Sequence, residues 1–168
     1  MKVAITGHQD LGAAADLDWI KTAVREASNQ LATSHGVSCL AAGADQLFAA
    51  LVVQRELPLT VIIPCKAYVG TFTSAPDLVE YHRLLRAASE RVTMPFDEPG
   101  PLAYDAANRE LVDRADAVIA VWDGQPARAT GGTADVVAYA RLRARRVVHV
   151  NPVTKAVQTG ATLIVTRA

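Results

Sequence analysis

The chain has 168 residues, 51% hydrophobic and 20% charged, a composition that fits one folded domain with a single core and excludes a disordered chain. Lysine plus arginine and aspartate plus glutamate number 17 each, so no net basic field draws the chain to a polyanion. The expected partner is a small molecule or another protein, and no long nucleic acid is expected.

Short apolar runs alternate with longer helical patterns. Residues 2–6 (KVAIT) predict a strand, and 15–34 a helix with Leu17, Ile20, Val24, Ala27 and Leu31 at helical spacing. A second strand is predicted over 36–42 (GVSCLAA), then a helix from 45 to 56. The third strand, 59–64 (LTVIIP), is stopped by Pro64. Residues 65–75 read as loop, and 75–90 as a helix with Pro76 placed at its start. A short strand over 91–95 and a break at 97–101 (DEPGP) precede a helix over 102–115. The fifth strand is 116–122 (DAVIAVW), a helix follows the turn that begins at 129, and the sixth strand is 145–152. The tail, 161–167 (ATLIVTR), is a candidate edge strand. Continuous apolar strands alternating with helices predict α/β architecture: one doubly wound Rossmann-like domain over 1–168 with a mostly parallel sheet.

Cys39 and Cys65 lie in or beside apolar runs without a close-spaced partner and read as reduced core residues. His8, His35, His82 and His149 make no metal-ligand spacing. The opening MKVAITG is too short in its apolar run for a signal peptide, and no run approaches the roughly 20 residues of a membrane span. The expectation is a cytoplasmic protein with no metal, no cofactor and no membrane partner.

Ligands of open parallel sheets bind beyond the carboxyl ends of the strands. The loops there are GHQDLG (7–12), GADQ (43–46) and DGQPARATGGT (123–133). Each contains glycine, which lets backbone approach an anion, and two run into helices whose first N–H groups lack partners. Each also has a plain reading. Gly131-Gly132 suits a simple turn, Gly43 a strand-to-helix bend with Asp45 complementing the dipole, and Gly7 tight packing. Three such loops on one edge together predict an anion or nucleotide site. The dinucleotide G-x-G-x-x-G and the P-loop GK[ST] are both absent.

The segments ITGHQDLG, LAAGADQLFA, NRELVDRADAVIAVWDG and TGGTADVVAYAR together resemble the SLOG superfamily. This Rossmann-like group joins DNA-processing protein A to the cytokinin-activating phosphoribohydrolases. The resemblance runs from Lys2 to Val150 and implies a nucleotide or nucleotide-derived ligand. By that likeness Gly7, His8, Gly43, Ala44, Asp45, Gly131, Gly132 and Thr133 line phosphate and ribose, with Asn108 and Arg109 beside them. It also implies a homodimer. Some members cleave the N-glycosidic bond of nucleoside monophosphates; others are ligand-sensing modules.

The phosphoribohydrolase pattern P-G-G-x-G-T-x-x-E carries a catalytic glutamate, and here its position is Val136. Asp135 is one residue early, about 100° around a helix. Thr130 stands for the proline, and the loop is shorter. Asp135 is therefore a ligand-facing carboxylate only if the helix begins differently, and otherwise a first-turn acid. Asp123, at the end of the fifth strand, suits a ribose-hydroxyl acceptor or a general acid, and equally an Asp-Gly turn.

Arg109 suits a phosphate or an ion pair with Asp113. His8 suits a phosphate hydrogen bond or acid–base work near neutral pH. The RLRARR run (141–146) fits the dipole at a helix end better than a nucleic-acid patch, Trp122 suits base stacking or rim packing, and Trp19 and Tyr139 read as packing residues. Three functions follow: a nucleotide-binding module; a nucleoside 5′-monophosphate N-glycosidase using Asp123 or Asp135; and an interaction domain whose loops bind nothing.

Overall fold

The computed structural model describes residues 1–9, 11, 16–126 and 131–160. Its strands are β1 (Lys2–Gly7), β2 (His35–Ser38), β3 (Leu59–Ile63), β4 (Glu90–Thr93), β5 (Ala117–Val121), β6 (Arg146–Asn151) and β7 (Ala156–Gly160). The helices are α1 (Leu17–Gln30), α2 (Ala44–Gln54), α3 (Ala75–Ala87), α4 (Pro101–Asp113) and α5 (Thr133–Leu142), with a 3-10 turn at Tyr68–Thr71. The strands form one sheet in the order β4-β3-β2-β1-β5-β6-β7, parallel except that β7 runs antiparallel to β6. This is the Rossmann-like α/β arrangement the alternation predicts.

The central strands are apolar on both faces because both are covered. Along β5, Ala117, Ile119 and Val121 join one core with Val3, Ile5 and Phe48. The alternate residues, Val118 and Ala120, join a second core with Ala4, Leu111 and Val136. The period-2 pleat of a fully buried strand separates these two sets.

Element ends have local causes. α1 begins after Asp16, whose carboxylate accepts the Trp19 amide at 2.9 Å. β2 stops at Ser38 rather than running to 42, because Leu40 takes a positive φ of 57°. The Leu40 amide donates to Ser38 Oγ at 3.0 Å. α3 ends at Ala87, short of the predicted 90, because Ser89 already belongs to the sheet edge: its amide and hydroxyl both reach Leu59 O at 2.9 Å.

An edge strand is observed at β7, and the candidate strand over 161–167 lies outside the described residues. β7 follows a turn in which Asn151 Oδ1 accepts the amides of Val153 (2.9 Å) and Thr154 (3.0 Å). The sheet order reverses between β1 and β5. Connections from β1 lead one way, and α4 returns the chain to the other side. A crevice must open beyond that seam.

Candidate ligand-binding cleft

Three chain segments meet at the carboxyl end of the seam. A Cβ at Gly7 would stand 2.5 Å from Ala44 Cβ and 2.7 Å from Val121 O. One at Gly43, where φ is +78°, would meet His8 O at 2.6 Å and the carbonyl of Gln9. These two glycines let the β1, α2 and β5 ends close on one another. The Ala44 amide donates to His8 O at 3.4 Å, so the start of α2 faces a carbonyl of the chain itself. Gly43 and Ala44 build the floor and do not line the opening.

Beyond this junction is a cleft of about 600 Å³, within the usual range for small-molecule sites. It gathers Gly7, His8, Asp45, Asn108, Asp123, Gly131, Gly132 and Thr133 from the residues singled out in the sequence. Gly43, Ala44, Arg109 and Asp135 are not on its wall. Residues that the sequence reading did not assign to a site also line it, among them Thr6, Gln9, Tyr68, Tyr104, Gln125, Pro152 and Val153. Thr6 and Gln9 flank Gly7 and His8, so proximity in sequence was an available signal. Tyr68, in a stretch read as loop, had none.

The start of α5 forms part of the cleft wall through Gly131, Gly132, Thr133 and Ala134. Gly132 is the N-cap residue and has no side chain to satisfy the first amides of the helix. Gly132 O accepts from Asp135 N at 3.0 Å and Val136 N at 3.2 Å, so the amides of Thr133 and Ala134 precede the first helical bonds. Gly131 holds a φ of +86°, and its carbonyl is fixed by Asn108 Nδ2 at 2.9 Å.

The lining also includes two acids, Asp45 and Asp123. His8 Nε2 lies 3.2 Å from Asp123 Oδ1, and the Asp123 amide points at the same nitrogen from 3.4 Å. A protonated ring donates to the carboxylate, whereas a neutral ring with its proton on Nδ1 accepts from the amide. Asp123 also forms its Asp-Gly turn, taking the Gln125 amide on Oδ1 at 3.0 Å. The Asp-Gly turn is therefore present, and the same carboxylate lines the cleft. Asp45 is 6% exposed, and burial pushes its carboxyl up to about 7. Hydrogen bonds from the Cys39 and Ala41 amides and from Ser38 Oγ oppose the rise. Burial also drives the Cys39 thiol and the Tyr68 hydroxyl well above their ordinary ranges. Asp45 is thus a carboxyl at the cleft that changes its proton near neutral pH.

Arg109 pairs with Asp105 at 2.8 Å and stacks over the Tyr139 ring at 4.8 Å, on the outer side of α4. Its ion-pair partner is not Asp113, which binds Arg143 and the Tyr139 hydroxyl. Asp135 turns back to accept the Gly131 amide at 2.9 Å, so it braces the glycine turn. Val136, where the phosphoribohydrolase glutamate would stand, is buried in the second core. Among the described residues no group of His, Cys, Asp and Glu could hold a metal, and no helix is long and apolar enough to cross a membrane.

No protein-family model and no curated protein matches the chain. Solved structures do. DNA processing protein A from Streptococcus pneumoniae superposes with a TM-score of 0.63 at 18% identity, over 88% of this chain and 49% of that one. The same protein from Helicobacter pylori gives 0.63 and 18%, over 89% and 64%. The molybdenum cofactor binding protein of Rippkaea orientalis gives 0.57 and 16%, over 89% and 76%. The fold is of the SLOG type. The chain spans about half and under two thirds of the length of the two DNA processing proteins, so the SLOG likeness is one of fold.

The exclusion of long nucleic acids from balanced charge does not stand. The Helicobacter pylori protein, which shares this SLOG fold, has a single-stranded DNA binding mode. Net charge sums the whole surface, whereas phosphates respond to cations within about a Debye length of 8–10 Å. Here Arg141, Arg143 and Arg146 are each exposed between the last turn of α5 and the start of β6 despite the neutral total.

Proposed function

We propose that the cleft binds a nucleotide or a nucleotide-derived small molecule, and that the chain acts as a ligand-binding module. One observation carries this: the uncapped start of α5 opens into the same cleft as the His8–Asp123 pair. An anionic group sits at the Thr133 and Ala134 amides, and hydroxyls of a sugar reach the Asp123 carboxylate.

Hydrolysis of an N-glycosidic bond is the second reading, favoured by Asp45. A carboxyl with a pKa of about 7 protonates a departing base, while Asp123 stabilises the cationic sugar that water then captures. With Val136 in the core, α5 supplies no carboxylate at the glutamate position of the phosphoribohydrolases.

The test is a ligand-observed proton NMR time course with nucleoside monophosphates, ADP-ribose, NAD and a single-stranded oligonucleotide. The oligonucleotide is included because of the DNA processing proteins. Ligand signals that broaden and stay intact support a binding module, and growing free-base signals support hydrolysis. Gly132→Asp improves the helix cap while placing negative charge at the anion position, so it weakens binding without unfolding the chain. Absence of any binding, or binding indifferent to Gly132→Asp, overturns the reading.

A further inference from the structure

The described lining of the cleft divides into two chemically different sets of residues. One holds the carboxylates, His8, Asn108 and the α5 amides. The other is an uncharged shelf of Trp122, Pro126, Pro152 and Val153, brought together from the β5 end and the β6–β7 turn. We propose that this shelf is a nucleobase-stacking site, and that the β6–β7 turn is the element that completes it. The inference rests on the cleft reading above and adds where the base lies and how it is chosen.

Trp122 follows the last buried residue of β5 and falls on the α4–α5 face with Val118 and Ala120. Unlike them it is only partly buried, and it lines the cleft. Its indole is held in place. Nε1 donates to Gln125 O at 2.7 Å, and the ring lies against His149 with centroids 5.0 Å apart. His149 is itself fixed, its Nε2 lying 2.8 Å from Trp122 O. His149 does not line the cleft, so it supports the indole from outside it.

Val153 is 75% exposed, a large apolar side chain left largely uncovered among the described residues. Asn151 ties its turn to the β5 end: Nδ2 donates to Asp123 O at 3.2 Å, while Oδ1 holds the Val153 amide. The shelf is therefore assembled before any ligand arrives, which lowers the ordering cost of binding.

The indole N–H is already engaged, and the prolines and Val153 offer no side-chain donor. Such a surface grips the face of a base and reads little of its edge. Affinity should therefore follow stacking area, purine monophosphates binding more tightly than pyrimidine ones. The base comes from a free nucleotide or from a single strand, and the chemistry is shared.

Calorimetric titration separates these cases, using AMP, UMP, ribose 5-phosphate and an adenine oligonucleotide against wild type, Trp122→Leu and Trp122→Phe. The expected result is an AMP affinity lowered about tenfold by Trp122→Leu and largely kept by Trp122→Phe. Ribose 5-phosphate affinity should be unchanged by either. A matching loss for the oligonucleotide assigns the base to a strand, and a loss confined to AMP assigns it to a free nucleotide; both support the shelf. Equal weakening of AMP and ribose 5-phosphate, or none, overturns the shelf while leaving the cleft reading intact. Failure of wild type to bind AMP and ribose 5-phosphate at all overturns both.

Discussion

His8 Nε2 and Asp123 Oδ1 stand 3.2 Å apart across the seam between β1 and β5, linking the two strand ends between which the sheet order reverses. The pair is partly exposed, so its contribution to stability is small, under about 1 kcal/mol. Its position matters more than its strength. Asp123→Asn keeps the shape and the hydrogen bond to Gln125 but removes the charge. Mononucleotide affinity should fall about fivefold, the difference between a charge-assisted and a neutral hydrogen bond. Calorimetry on the variant reads this directly, and an unchanged affinity would separate the carboxylate from the ligand.

Asp45 predicts a pH dependence of stability. Its folded pKa of about 7 lies above the ordinary 3.8, so between these values the folded chain keeps a proton that the unfolded chain has released. The resulting stabilisation is complete below pH 4 and is lost as pH rises through 7. Urea titrations of wild type and Asp45→Asn should diverge across this window. The wild-type advantage should shrink by on the order of 4 kcal/mol from pH 4 to 8 and stay flat above. Parallel curves would show that Asp45 is ionised throughout.

Gly43→Ala tests the floor of the cleft. The substitution forces an L-residue to a φ of +78° and drives its Cβ toward the carbonyls of His8 and Gln9. A loss of roughly 2 kcal/mol or more is expected, from backbone strain plus the shift needed to relieve contact. Chemical denaturation measures it. Gly124, also at positive φ, has only distant neighbours at 3.9 Å, so Gly124→Ala should cost less, about 1–2 kcal/mol.

Arg109→Ala should leave ligand affinity within about twofold, because the guanidinium is engaged by Asp105 and the Tyr139 ring outside the cleft. Loss of an exposed ion pair and a cation–π contact should lower stability only slightly. A tenfold loss of affinity, read in the same titrations, would mean that Arg109 leaves Asp105 to hold the ligand.

The residue pattern of the chain was enough to give the α/β class, six strands and five helices, because apolar periodicity and strand-ending glycines are local properties. The loops that bear the cleft followed from the same rule, since strands of a parallel sheet end on one edge. Where the α3 reading missed, a distant partner decided, Ser89 joining Leu59; where the β2 reading missed, the reason was local, a positive φ at Leu40 with its amide on the Ser38 hydroxyl.

The tertiary structure alone settled which side of a loop faces the cleft. Gly43 and Ala44 went to the floor because the chain's own His8 carbonyl took the start of α2, while the glycine-capped start of α5 stayed open. Arg109 and Asp135 turned to nearby partners, a choice among contacts of similar strength that spacing does not rank. Burial of Asp45, and with it a pKa near 7, needed the packing of β2 against α2. The shelf of Trp122 and Val153 needed a turn 30 residues further along the chain to return beside β5. Periodicity along a sequence reports what is buried; only the fold reports what each buried or half-buried group is buried against.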